Sequence, residues 1–144
     1  ANCEAVPSDL LAWSEGRAII ATGSPFAPVT YQGREYRISQ ANNVAIFPGL
    51  GVGALLARAR VITAGMLAAA AEALHVLTDP EDYHQGLVLP PTRDLREVAG
   101  AVAAAVAETA WAEGVARAAR PDGDLRSTIR EQMYVPRYRR LVAG

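Results

Sequence analysis

Three short stretches of this chain hold residues whose types and spacing could do chemistry. Gly49-Leu50-Gly51-Val52-Gly53-Ala54 fits the G-x-G-x-x-G/A pattern letter by letter. If Val44 to Phe47 were a strand and Ala54 onward a helix, a dinucleotide pyrophosphate could sit on the helix N-terminus. Pro48 stands between the strand and the glycines, however. No second strand ends in an acid about 20 residues on; Glu72 is near that distance but lies mid-helix. The alternative is a helix whose glycines let another helix approach closely. Gln40-Ala41-Asn42-Asn43 is the second stretch. Asparagine caps helix starts, and its amide can also donate to a carboxylate and accept from a ribose hydroxyl, so capping and ligand binding are both open. The third is Thr22-Gly23-Ser24-Pro25. A strand-end serine could be a nucleophile or a phosphate contact, but no G-x-S-x-G elbow surrounds it, and a turn that ends a strand is the plainer reading. His75 and His84 lack ligand spacing, Glu81-Asp82 reads as a solvated loop, and the single Cys3 permits neither an internal disulfide nor a cysteine-built zinc site.

Composition narrows the chemistry further. The 144 residues include 14 basic side chains, all arginine, so a Schiff-base lysine, a P-loop lysine and a lysine general base are excluded on this chain. Hydrophobic residues are 51% and charged residues 20%, a balance that disfavours disorder. Alanine makes up about a fifth of the chain and predicts mostly helix. Arg137, Arg139 and Arg140 sit with Tyr134 and Tyr138 in a basic, aromatic tail, but a net charge of −1 argues against a nucleic-acid partner. The apolar stretch from Ala99 to Ala112 is broken by Gly100, Glu108 and Thr109 and is too short to span a bilayer. With no signal-peptide pattern visible, a cytoplasmic location with no membrane contact is expected.

The elements that must position these residues read as one unit. Pro7-Ser8-Asp9 opens a first helix and Gly16 stops it. Residues 17–22 form an apolar, β-branched run that fits a strand buried on both faces of a parallel sheet. Residues 29–38 read as a small hairpin around Gln32-Gly33-Arg34. Ser39 to Asn43 reads as a loop or helix cap. Thr63 caps a helix to Leu77, and Asp79 to Gln85 reads as a loop. Leu87 to Pro91 is extended because Pro90-Pro91 forbids helix. The longest helix runs from Thr92 to about Ala118, with Leu95, Val98, Val102, Val106 and Trp111 on one stripe, before Pro121-Asp122-Gly123 breaks it. A short helix from Asp124 to Met133 follows. One strand and one hairpin cannot close a sheet, so the backbone edges need partners from elsewhere.

Several motifs also resemble a known family. Glu15-Gly16-Arg17-Ala18-Ile19-Ile20-Ala21-Thr22-Gly23-Ser24-Pro25-Phe26 resembles the E-G-R-x-x-x-A-[ST]-G-S-P-F stretch of malic enzymes. Gln40-Ala41-Asn42-Asn43-Val44-Ala45-Ile46-Phe47-Pro48-Gly49 resembles their Q-x-N-N-x-x-I-F-P-G segment, and Leu89-Pro90-Pro91 with Asp94-Leu95-Arg96-Glu97-Val98 their P-P-x-x-D-I-R-E-V. The resemblance implies an α/β fold: the mostly helical C-terminal portion of a Rossmann-like dinucleotide-binding domain of a bacterial malic enzyme. It implies oxidative decarboxylation of L-malate to pyruvate and CO2, with NAD or NADP taking the hydride and Mg²⁺ or Mn²⁺ as Lewis acid. The family's tyrosine acid, lysine base, metal-binding acids and main glycine loop lie upstream of the matched region. The chain alone is therefore expected to be inactive and to work with the remainder of the enzyme, commonly in a homo-oligomer. Asn42 and Asn43 match the family asparagines that contact malate and neighbour the nicotinamide ribose, with Asn43 favoured for substrate. The resemblance makes residues 47–59 a helix in which Gly49, Gly51 and Gly53 permit close packing. A non-catalytic helical module for oligomerisation or partner binding is the competing reading.

Overall fold

The computed structural model describes residues 3–90 and 95–135. The start of the long helix at Thr92 to Asp94, and Arg137, Tyr138, Arg139 and Arg140 of the tail, lie outside the described residues. Helix α1 spans Pro7–Trp13 and ends where Glu15 and Gly16 turn left-handed, with the Gly16 N–H donating to Leu11 O at 2.8 Å. Two small sheets follow. Strand β1, Ala21–Thr22, pairs in parallel with β4, Ser39–Gln40. Between them β2, Val29–Tyr31, and β3, Arg34–Tyr36, form the hairpin. Gln32 and Gly33 turn it with φ of 49° and 78°, the two positive values that a type I′ turn needs. Arg34 belongs to the strand and not to the turn.

The strand expected over 17–22 is narrower than its apolar run. The N–H groups of Arg17 and Ala18 bond back to Ser14, so they cannot enter a ladder. Ile20 is buried, but Ile19 is 81% exposed, and among the described residues only one edge of β1 is paired. Residues 39–40, read from sequence as loop or cap, supply that pairing. Ser39, 2% exposed, also accepts from the Val88 N–H through its hydroxyl at 2.7 Å. Asp79 to Gln85, read as loop, contains helix α4, Pro80–His84, which Asp79 caps by accepting from the Glu81 N–H. From there Asp82 and Gln85 both accept from the Arg37 guanidinium at 3.1 Å.

The core lies among the helices. A 3₁₀ turn, Asn43–Ala45, leads into α2, Phe47–Ala57; α3 is Ala64–Val76, α5 is Leu95–Ala112 and α6 is Leu125–Gln132. Thr63 caps α3 by accepting from the Met66 N–H at 3.0 Å, as its sequence predicts. Val98, Val102 and Val106 of α5 meet Leu50 and Ala57 of α2 and Met66, Ala70 and Leu74 of α3 in one buried cluster. The long helix stops at Ala112 and does not reach Ala118. Gly114 turns left-handed, and residues 115–118 zip onto the end of α2, with the N–H groups of Arg117 and Ala118 donating to Ala57 O.

Candidate functional site

The carboxyl ends of β1 and β4 lie side by side because the two strands run parallel, and the turns that follow them carry the candidate residues. Thr22 Oγ1 donates to Ser24 O at 2.8 Å and folds the first turn over. The Ala41 N–H donates to Thr22 O at 2.9 Å, and Gln40 Nε2 donates to Gly23 O at 3.3 Å. Thr22-Gly23-Ser24 and Ala41-Asn42-Asn43 are therefore stapled into one rim. In open parallel sheets ligands bind at this end of the strands.

The two asparagines have different duties. Asn42 Oδ1 accepts from the Val44 N–H at 3.0 Å and caps the 3₁₀ turn. Asn43 is exposed, and among the described residues its side-chain amide has no hydrogen-bond partner. Capping thus falls to Asn42, while the Asn43 amide is left unpartnered among the described residues.

Gly23 belongs to the rim in a way its sequence did not signal beyond marking a strand end. Its backbone is outside the left-handed range, and an added Cβ would meet nothing within 4 Å. Among the described residues nothing requires glycine there. A molecule or segment lying close against the backbone would. Beside it a groove of about 450 Å³ is lined by residues that include Cys3, Glu4, Leu10, Ser24 and Phe26.

The glycine-rich stretch is not a phosphate cradle. Gly49 and Gly53 lie inside α2, and a Cβ on either would strike α5: Val102 and Ala99 O at 2.6 and 2.7 Å, and Ala103 O at 2.5 Å. They pack helix on helix, while Gly51 faces open space and does not share that duty. The glycine-rich residues therefore do not fit a dinucleotide's pyrophosphate, and what the rim offers a ligand is an exposed amide and an open glycine.

The rim turns 22–24 and 41–43 hold no carboxylate, imidazole, thiol, phenol or amine. They can bind and orient but cannot relay protons near neutral pH. The perturbed acids stand elsewhere. The Arg120 guanidinium, hydrogen bonded to Glu108, holds that carboxyl below its ordinary range, and Asp124 is held low by the Ser127 hydroxyl and the N–H groups at the start of α6. Among the described residues no group of three or more His, Cys, Asp or Glu could hold a metal ion, and no helix is long and apolar enough to cross a membrane.

Comparison with known proteins places the chain in a family. The family described as malic enzyme, NAD binding domain, matches residues 1–111. NAD-dependent malic enzyme 3 of Bacillus subtilis is 44% identical over 136 residues, which are 94% of this chain and 24% of that protein. An NAD-dependent malic enzyme of Pseudomonas aeruginosa is 45% identical over the same shares, and one from Aeromonas hydrophila is 42% identical over 95% of this chain. The chain spans about a quarter of the length of these relatives. With a family match that covers most of its length, this chain belongs to the malic enzyme family, within the Rossmann-like NAD-binding domain.

Proposed function

We propose that residues 1–144 act as a single unit, the C-terminal part of that domain, and supply the nicotinamide and malate end of the ligand site of an enzyme that oxidatively decarboxylates L-malate to pyruvate and CO2. The observation that carries this reading is the unpartnered Asn43 amide, held at the carboxyl ends of two parallel strands beside the open Gly23. When bound, NAD accepts the hydride from the malate carbon that bears the hydroxyl. The NAD-dependent names of the relatives support NAD over NADP.

Each rim residue has a task that its chemistry allows. Asn43 Nδ2 donates to a malate carboxylate, and its Oδ1 accepts from the nicotinamide ribose or from the malate hydroxyl. Asn42 spends its Oδ1 on the cap and keeps its Nδ2 for the ribose side. That cap orders residues 43–45 and so aims Asn43 before substrate arrives, which lowers the ordering cost of binding. Gly23 lets the ligand lie against bare backbone. Proton transfer, and the Mg²⁺ or Mn²⁺ that the family resemblance implies, belong to residues outside this chain, which is inactive by itself. The parent enzyme is a cytoplasmic homo-oligomer in this reading.

Asn43→Ala in the full-length enzyme tests it. Loss of one buried polar contact to substrate costs about 1–3 kcal/mol, so kcat/KM for malate should fall roughly 5- to 150-fold. Unchanged malate kinetics would remove Asn43 from the site.

A further inference from the structure

Thr22 and Gln40 stand opposite one another where the two parallel strands end. Their Cα atoms are partners in the β1–β4 register. Each side chain reaches across the gap to the backbone of the other strand. Thr22 Oγ1 lies 3.4 Å from Ser39 O of β4, and Gln40 Nε2 donates to Gly23 O, just past β1, at 3.3 Å. The hydroxyl has one proton. It directs that proton mainly to Ser24 O at 2.8 Å and shares it with Ser39 O in a three-centre bond. One hydroxyl thus ties the turn after β1 both to itself and to β4, and one amide ties β4 back to the Gly23 carbonyl. The crossing is reciprocal.

Backbone pairing alone holds this mouth with little to spare. Each strand is two residues long, and parallel pairing is slightly less stable per residue than antiparallel pairing. Past the ladder, the Ala41 N–H bonds Thr22 O at 2.9 Å. Asn43 lies two residues further along on the β4 side, and Gly23 lies on the β1 side. In the malate-site reading above, on which this inference rests, the ligand is held between them. The gap between the two turns is then the width of the site. We propose that Thr22 and Gln40 are a pair of positioning residues, whose crossed hydrogen bonds fix the spacing between the Gly23 backbone and the Asn43 amide before malate and NAD arrive. Neither side chain has to touch the ligand. A hydroxyl and a carboxamide suit the task because neither changes charge near neutral pH, so the spacing holds while the reaction moves protons elsewhere.

Steady-state kinetics of the full-length enzyme test the pair. Gln40→Met keeps the length of the side chain and removes the donor. Thr22→Val keeps the shape and removes the hydroxyl. Each should lower kcat/KM for malate about 3- to 30-fold, between the loss of one neutral hydrogen bond and that of a misplaced site. Thr22→Ser, which keeps the hydroxyl, should recover most of the loss. The effect must run through Asn43, so Gln40→Met combined with Asn43→Ala should fall within about twofold of Asn43→Ala alone. A merely structural defect would instead multiply the two losses in full. Single variants equal to the parent overturn the proposal, and so does a Thr22→Ser enzyme as slow as Thr22→Val. If Asn43→Ala itself leaves malate kinetics unchanged, the malate-site reading falls and the positioning role falls with it. If Asn43→Ala is slow and the double variant shows the full product, only the positioning role falls. Gln40 is half-buried, so Gln40→Met carries the test even if Thr22→Val fails to fold.

Discussion

Gly53→Ala should destabilise the chain although it replaces a poor helix former with the best one. The added Cβ would lie 2.5 Å from Ala103 O and 2.9 Å from Val106 Cβ. Ordinary contact begins at 3.4 Å, so α2 and α5 must part by about 0.9 Å locally, in a close-packed interior where such gaps are costly. The nearest obstacle is a helix carbonyl, which cannot swing aside as a side chain end would. Overpacking of this kind costs about 1–3 kcal/mol, against a propensity gain of about 1 kcal/mol, and the net loss is up to about 2 kcal/mol. Gly51→Ala, two residues away on the open face, keeps the propensity gain without the clash and should stabilise the 144-residue chain by up to about 1 kcal/mol. Urea denaturation of the two variants beside the parent sequence decides it, with the slope unchanged so that midpoint shifts report stability. A Gly53→Ala variant as stable as Gly51→Ala would refute the close α2–α5 contact. The double Gly49→Ala, Gly53→Ala variant should lose less than the sum of the two, because one separation of the helices relieves both clashes.

Three further outcomes follow from the same geometry. Ser39→Ala leaves the Val88 N–H without its 2.7 Å acceptor in a buried place and should cost about 1–3 kcal/mol in urea denaturation; a neutral result would mean water replaces the hydroxyl. Gly16→Ala forces φ of 78° on an L-residue and should lose on the order of 1–2 kcal/mol, visible as a lower thermal midpoint. Glu108 has its carboxyl held low by Arg120. Its folded value thus lies below its unfolded one, so the stability it contributes is present above the ordinary carboxylate range and is lost as pH falls through the folded value. The pair is about half exposed, so the effect is small and should shrink in high salt. Glu108→Gln should be less stable than the parent at neutral pH in low salt and equal to it at strongly acid pH; a gap that persists in acid would point to packing instead.

Local signals in this sequence were legible because their causes are local. Thr63 caps its helix as short polar side chains do, Gly16 ends α1, and Gln32-Gly33 turns the hairpin, each through backbone within five residues. What failed to show were features that depend on a distant partner. Residues 39–40 looked like loop because two residues carry no periodicity; they form a strand only because Thr22 is there to pair with. The sequence predicts too long a helix because residues 115–118 are alanine-rich, yet the Arg117 and Ala118 N–H groups donate to Ala57 O at the end of α2.

The family is written in the order and types of residues along the chain, and most helix starts and turns in contacts a few residues long. Which asparagine is spent on the backbone and which is left unpartnered, and which glycines are pressed against a neighbour and which face outward, depends on how the elements pack. Gly49, Gly51 and Gly53 are the same residue at equal spacing. They differ only in what stands opposite, and what stands opposite is set by a helix some fifty residues away in the chain.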